Sequence, residues 1–488
     1  MKTWKIGIIG AGPGGLFTAY SLQRMLNAPI AVTIFEATNR VGGKILTPQF
    51  NTGKLYYEAG AAEFYDYSGF QEDPLKELIE EMGLPICEMG GPSVFLDQNL
   101  IANLDDLERH YGAAARYEMQ RFDRFARDFM TPQEYYNADY PEGWLGKPDR
   151  NRFQQIMNKV QNPNLKRYLQ TLLHSDLATE PERTSRTYGL QNYLMNDAAY
   201  MRLYGIEGGN ERLPRELAKR IQATFCMNTP VTSISRTPEG QLEITSIHEN
   251  QEQSQEFDYV VVALPHNHLR SVNYCGDLLS QAVDRHYDHY CHPAHYLRMT
   301  LLFEKAFWKP LLKDSFWMLD EFEGCCLYDE SSRIPGCQYG VLGWLLGGNV
   351  AQQLCTKSDP ELIQLALDSL PQCLRQHQLP CLEGKVHRWE AAVNAMPGGE
   401  VPQSLDRRHQ PEPHQHPTLF FVGDYLFDST LNGVIDSAEY VVSWIASEIH
   451  APQKIVVPKQ FPNSSPATNP SEESDVKVAC DLSESPVS

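Results

Sequence analysis

The chain has 488 residues, 42% of them hydrophobic, and a formal net charge of −20. That length exceeds what one compact core holds and is read as two domains. The acidic excess argues against nucleic acid or an anionic membrane as a partner, and either draws cationic ligands from a distance or serves solubility.

Lys5 to Ile9 reads as a short buried strand. It runs into Gly10-Ala11-Gly12-Pro13-Gly14-Gly15, after which Leu16, Ala19, Tyr20, Leu22 and Leu26 recur at helical spacing. A second apolar run, Ile30 to Phe35, ends in Glu36. Strand, glycine turn, helix, strand and acid together form the fingerprint of a dinucleotide-binding βαβ unit. Gly10 permits the tight turn, Gly12 lets backbone approach a pyrophosphate, and Gly15 lets the helix pack on the sheet. The free N–H groups at the helix start face the phosphates. Glu36 is placed to accept hydrogen bonds from an adenosine ribose. The fingerprint does not choose between NAD and FAD.

The segment Glu36-Ala37-Thr38-Asn39-Arg40-Val41-Gly42-Gly43-Lys44 makes that choice. It resembles the E-A-x-x-R-x-G-G-R of the flavin amine oxidase superfamily, with Lys44 keeping the charge of the last arginine but not its fork. The resemblance implies FAD, with Gly43 bringing backbone against the cofactor. Arg40 and Lys44 are phosphate neighbours on charge alone. Glu58 to Phe64, with Gly60 and Ala61, resembles the family's segment beside the flavin ring. Ile206-Glu207-Gly208-Gly209-Asn210 resembles its mid-chain glycine turn, and Val231 matches the valine at the adenine. Asp258 to Pro265 is an apolar strand ended by proline. Leu419 to Asp424, followed by Asn432 to Ala438, resembles the second flavin signature. There Gly423 and Asp424 serve the ribityl or pyrophosphate portion, and Val434 lies at the following helix start.

The expected fold class is α/β: a Rossmann-like FAD-binding domain built from discontinuous segments, plus an α+β substrate domain. The first takes residues 1–70, 205–270 and 410–450, and the second takes 71–204 and 271–409. Within 71–204, Asp105 to Met130 carries Leu107, Tyr111, Ala114, Phe122, Phe125 and Phe129 at helical intervals. Tyr296 to Phe303 and Tyr339 to Leu346 read as strands. Residues 451–488, dominated by Pro, Ser, Asn and Glu, read as a disordered acidic tail. The cysteines are scattered without a C-x-x-C, as in a reducing compartment. No secretory leader or bilayer-length apolar stretch is legible, so a cytoplasmic location is expected.

Two side chains are candidates for chemistry. The family's amine oxidase branch places a lysine shortly before an F-W pair. Here the pair is Phe307-Trp308, and the matching position is Arg298. A permanently charged guanidinium there could bind a substrate carboxylate or stabilise reduced flavin; its alternative is an arginine paired with an acid at the domain boundary. Glu63, just past Gly60-Ala61, could bind the ammonium end of a substrate; its alternative is a carboxylate facing the second domain or solvent. The family's pair of substrate-flanking aromatic rings is incomplete, because Val434 stands at one position and only Trp389 is near the other. No cysteine lies between Trp389 and Gly423, so the flavin is expected to be non-covalent. His286, His289, His292 and His295 repeat every three residues, yet that spacing is no ligand code and Pro293 breaks the helix, so no metal site is expected.

The resemblance thus implies FAD-dependent oxidation of the C–N bond of an amino acid or amine by hydride transfer, with oxygen or a quinone as electron acceptor. Two alternatives stay open: a desaturase- or protoporphyrinogen-oxidase-like enzyme oxidising C–C bonds of an apolar substrate, and a flavin-binding protein without catalysis.

Overall fold

Lys5 to Ile9 lies in the strand Trp4–Ile9, at the centre of a five-stranded parallel sheet. The computed structural model describes residues 2–69, 72–136 and 151–450; the expected acidic tail at 451–488 lies outside them. The sheet order is Leu419–Phe421, Tyr259–Val262, Trp4–Ile9, Ile30–Phe35 and Thr224–Cys226, with every pairing parallel. Strands from both ends of the chain therefore lie one strand apart. Such strands are buried on both faces, which explains their continuous apolar runs.

One face is covered by helices Pro13–Met25 and Leu431–His450, through Leu16, Leu22, Val441 and Ile445. Leu75, Leu78 and Ile79 pack into the same core. The other face carries the antiparallel strands Val231–Arg236, Leu242–His248 and Gln251–Phe257. Gly7 admits this layer, since a Cβ there would sit 2.7 Å from Ile244 Cδ1. Tyr274, Leu279, Val283 and Tyr290 complete that core.

A seven-stranded sheet is drawn from the intervening segments. Its order is Cys381–Asn394, Pro293–Phe303, Gly340–Gly347, Cys325–Asp329, Phe316–Leu319, Ser93–Leu96 and Asn99–Ile101. Helices Pro163–Leu177 and Arg186–Leu194 pack on this half. The helical pattern from Asp105 to Met130 is realised as two helices, Leu104–Tyr111 and Ala113–Phe129. They break at Gly112, whose φ of 86° lies outside the helical region. Among the described residues, no helix is long and apolar enough to cross a membrane.

Candidate active site

The cofactor cradle begins where the glycine turn leaves the central strand. A Cβ at Gly15 would fall 1.9 Å from the Gly10 carbonyl oxygen, and one at Gly60 would fall 1.9 Å from the Lys44 carbonyl oxygen. Neither position admits a side chain. Gly12 and Gly43 face each other, with their added Cβ atoms 3.7 and 3.1 Å from the opposite Cα. The helix Pro13–Met25 has Gly12 at its N-cap, no side-chain cap and no acid in its first turn. Its positive end is thus left to an external anion. Gly14 packs under Val422 and Val434, the latter buried on the C-terminal helix.

The charged residues around this turn are partly engaged. Glu36 Oε2 accepts from the Ala11 amide at 2.9 Å, and Oε1 accepts from the Thr38 amide and hydroxyl. A carboxylate has about four acceptor positions, so capacity for a ribose remains. Arg40 donates to the carbonyls of Val41, Gly43 and Ile45, so it braces the loop that carries Gly43. Lys44 pairs with Asp424 and donates to the Ala392 carbonyl at 3.0 Å. Val231 lies two residues past Thr229, whose amide donates to the Glu36 carbonyl at 2.8 Å. Together these contacts gather the glycine turn, the Gly43 loop, Val231 and Asp424 around one cradle, and its close backbone approach fits a flavin dinucleotide.

Ala61 is held by its amide on Lys44 O and by Asn210 Nδ2, which donates to Ala61 O at 3.0 Å and to Ala62 O at 3.1 Å. Glu63 follows and accepts from the Tyr328 hydroxyl at 3.0 Å. Burial pushes its carboxyl above the ordinary carboxylate range, against the pull of Arg333 and Arg298. Arg298 is 1% exposed and pairs with the equally buried Glu330. Its guanidinium carbon lies 4.9 Å from the Tyr328 ring centroid. Tyr328 therefore touches both candidate residues. The pairing of Arg298 with an acid, one of the two expectations for it, is present. It also leaves Arg298 Nε and Nη1 buried with no hydrogen-bond partner.

Four further residues carry this site, and sequence reasoning missed their roles. Glu330 pairs with Arg298 and lies 3.9 Å from Arg333 Nε; Arg333 stands 5.8 Å from the Tyr328 ring centroid and donates to the Ala62 carbonyl. Glu58, inside the segment that resembles the flavin neighbour, is 2% exposed and accepts from Asn210 N and Thr47 Oγ1, each at 2.8 Å. Burial raises its carboxyl to about 7. Asp176, at the end of the helix Pro163–Leu177, is also pushed well up, by burial first and then by the charge of Glu63. Tyr296 donates to its backbone carbonyl at 3.4 Å. No periodicity marks Asp176 or Glu330, because Asp176 meets the charge of Glu63, and Glu330 meets Arg298, only through tertiary packing.

Trp389 donates from Nε1 to the Ala59 carbonyl at 2.6 Å, which sets its ring against the segment leading to Gly60. The histidine run separates. His286 is buried and lies 3.2 Å from the Tyr425 hydroxyl, with burial lowering its pKa to about 3. His295 sits on the strand Pro293–Phe303, where its Nδ1 accepts from the Ala391 amide at 3.1 Å.

The sequence model of the flavin-containing amine oxidoreductases matches residues 13–445. A prenylcysteine oxidase 1-like protein of Bos taurus is 25% identical over 279 residues, 54% of this chain and 56% of that protein. The chain thus spans little more than half the length of that relative. L-amino-acid oxidase 4 of Hebeloma cylindrosporum is 45% identical over 62 residues, 12% of this chain and 9% of its own. The solved cyclohexylamine oxidase of Brevibacterium oxydans superposes with a TM-score of 0.68 at 18% identity, covering 92% of this chain and 100% of its own. The chain belongs to the family of flavin-containing amine oxidoreductases, and its cofactor is FAD.

Proposed function

We propose that the protein oxidises the C–N bond of a small amine or amino acid to an imine, which water then hydrolyses. The observation that carries this reading is that Glu63 and Arg298 meet at one side chain, Glu63 at the hydroxyl of Tyr328 and Arg298 over its ring. Glu63 supplies a carboxylate for an ammonium group, and its raised pKa lets it exchange a proton with that group nearer neutrality. Arg298 keeps two buried donors without protein partners, which suit a substrate carboxylate or a bound water. The ion pair with Glu330 holds the guanidinium in one orientation, so these donors stay aimed. FAD, when bound, supplies the two-electron acceptor; the electrons pass on to oxygen or a quinone. A wall of buried charges favours this polar substrate over the long apolar one that C–C oxidation requires.

The test is anaerobic reduction of the FAD-loaded protein by a panel of amines, amino acids and polyenes, followed by flavin absorbance. Bleaching by an amine or amino acid, slowed at least roughly tenfold in Arg298→Ala, is the expected result. Bleaching by polyenes alone, or by nothing in the panel, overturns the reading. An unchanged rate and affinity in Arg298→Ala removes the role given to that residue.

A further inference from the structure

A second set of donors converges away from the histidine run. His174, Glu180 and Glu323 bring their ligand atoms within 4.8 Å of one another. His174 Nε2 lies 3.7 Å from Glu180 Oε1 and 3.8 Å from Glu323 Oε2. His174 is 2% exposed, and its Nε2 has no hydrogen-bond partner. The other ring nitrogen, Nδ1, sits 3.3 Å from the Gly324 carbonyl oxygen. A carbonyl can only accept, so that contact places the proton on Nδ1 and leaves a bare lone pair on Nε2. This is the arrangement of a metal-bound imidazole, one nitrogen anchored on a carbonyl and the other free to ligate.

The carboxylates are equally prepared. Glu180 is buried; its Oε1 accepts from the Asn349 amide at 2.6 Å, and its Oε2 has no hydrogen-bond partner, with Arg183 Nε 3.7 Å away. The space between the donors is kept open by Gly348. A Cβ there would fall 2.6 Å from Glu180 Oε1 and 3.0 Å from His174 Nε2. A lone pair facing two carboxylate oxygens is repulsive unless something positive lies among them.

We propose that His174, Glu180 and Glu323 bind a divalent transition-metal cation of the Zn2+ type. Donors at about 2.1 Å from a tetrahedral ion stand about 3.4 Å apart; the two histidine–carboxylate separations, 3.7 and 3.8 Å, lie a few tenths of an ångström outside this, and all three donors lie within 4.8 Å of one another, so binding would draw the exposed Glu323 inward. One imidazole with two carboxylates suits Zn2+ and disfavours Mg2+ or Ca2+, which prefer oxygen donors only. Glu323 is exposed, so the fourth position opens to water on its side. The ion would tie the end of helix Pro163–Leu177 to the turn that precedes Cys325–Asp329 and, through the hydrogen bond of Glu180 to the Asn349 amide, to the helix start that follows Gly340–Gly347. The last of these strands pairs with the one bearing Arg298, so the site braces the sheet behind the candidate active site.

The experiment uses the FAD-loaded full chain, stripped with a chelator, desalted and titrated with ZnCl2. Bound zinc is counted by elemental analysis and the thermal midpoint is followed in parallel. One saturable zinc per chain is expected, with a raised midpoint and no such response to MgCl2. Glu323→Gln, an exposed change that the fold tolerates, should weaken zinc binding roughly tenfold or more, and His174→Ala should weaken it further. Absence of saturable zinc binding overturns the proposal, as does zinc binding unchanged in Glu323→Gln, which alone decides if His174→Ala does not fold.

Discussion

Lys44 and Asp424, 380 residues apart in the chain, form an ion pair that joins the loop after the strand Ile30–Phe35 to the end of the strand Leu419–Phe421. Neither residue is fully exposed, and Lys44 also donates to Ala392 O. The pair closes the cradle around Gly12 and Gly43. Lys44→Met should therefore raise the Kd for FAD about tenfold, or ~1.4 kcal/mol, while Lys44→Arg should lose less. Fluorescence of released flavin on dilution measures this, and equal retention in all three proteins would refute it.

The two glycines of the first turn should fail differently. A Cβ at Gly15 meets the Gly10 carbonyl, whereas one at Gly12 meets nothing closer than an ordinary contact at 3.7 Å. Gly15→Ala should cost about 3 kcal/mol or more of stability. Gly12→Ala should fold within about 1 kcal/mol of wild type but lose FAD, because its methyl group occupies the space of the pyrophosphate. Urea unfolding and flavin absorbance on the same samples separate the two effects.

Glu330 neutralises Arg298 in a setting where both side chains are almost fully buried. Removing one partner strands the other charge. Glu330→Ala should destabilise by about 3–5 kcal/mol, and Glu330→Ala with Arg298→Met should recover much of that loss. A double mutant no more stable than Glu330→Ala would show that Arg333, rather than Arg298, depends on Glu330.

Glu58 gives a pH dependence with a defined sign. Its carboxyl is raised from 4.5 to about 7 in the folded protein, chiefly by burial. Between those values the folded state holds a proton that the unfolded state has released. The contribution is full below pH about 4.5 and is lost as pH rises through about 7, to a total on the order of 3 kcal/mol. Glu58→Gln should flatten that descent in urea midpoints measured from pH 4.5 to 8. An identical slope would place the titration on another group.

Glu63 should govern the acid limb of kcat/KM. Its carboxyl titrates above the ordinary carboxylate range, and only the ionised form holds an ammonium group. Activity should fall as pH drops through that raised value, and Glu63→Gln should abolish the limb while raising KM roughly tenfold or more. Retention of the limb in Glu63→Gln would assign it to another residue.

Much of the cofactor side was legible in the chain because its parts are local. Gly10 to Gly15, Glu36 and Gly43 lie on consecutive elements, and their spacing follows from the geometry of a strand, a turn and a helix. Even there, packing revised details. Arg40 braces three loop carbonyls, and Lys44 meets Asp424, a pairing that charge alone did not predict. The break at Gly112 inside a helical pattern was equally hidden, since periodicity reports which face is buried and not where the axis turns.

The sequence by itself determined the parallel strands and the glycine turn between them, because backbone sterics and hydrophobic period act over a few residues; the segment Leu419 to Asp424 is legible as cofactor-binding only through its family resemblance. Only the tertiary structure decided that Arg298 is paired with Glu330, that Tyr328 touches both Arg298 and Glu63, and that Asp176 feels the charge of Glu63 while Glu58 feels that of Arg333. These residues come from different strands, loops and helices. Their protonation and orientation depend on desolvation and on charges brought close by folding, and no spacing along the chain encodes either.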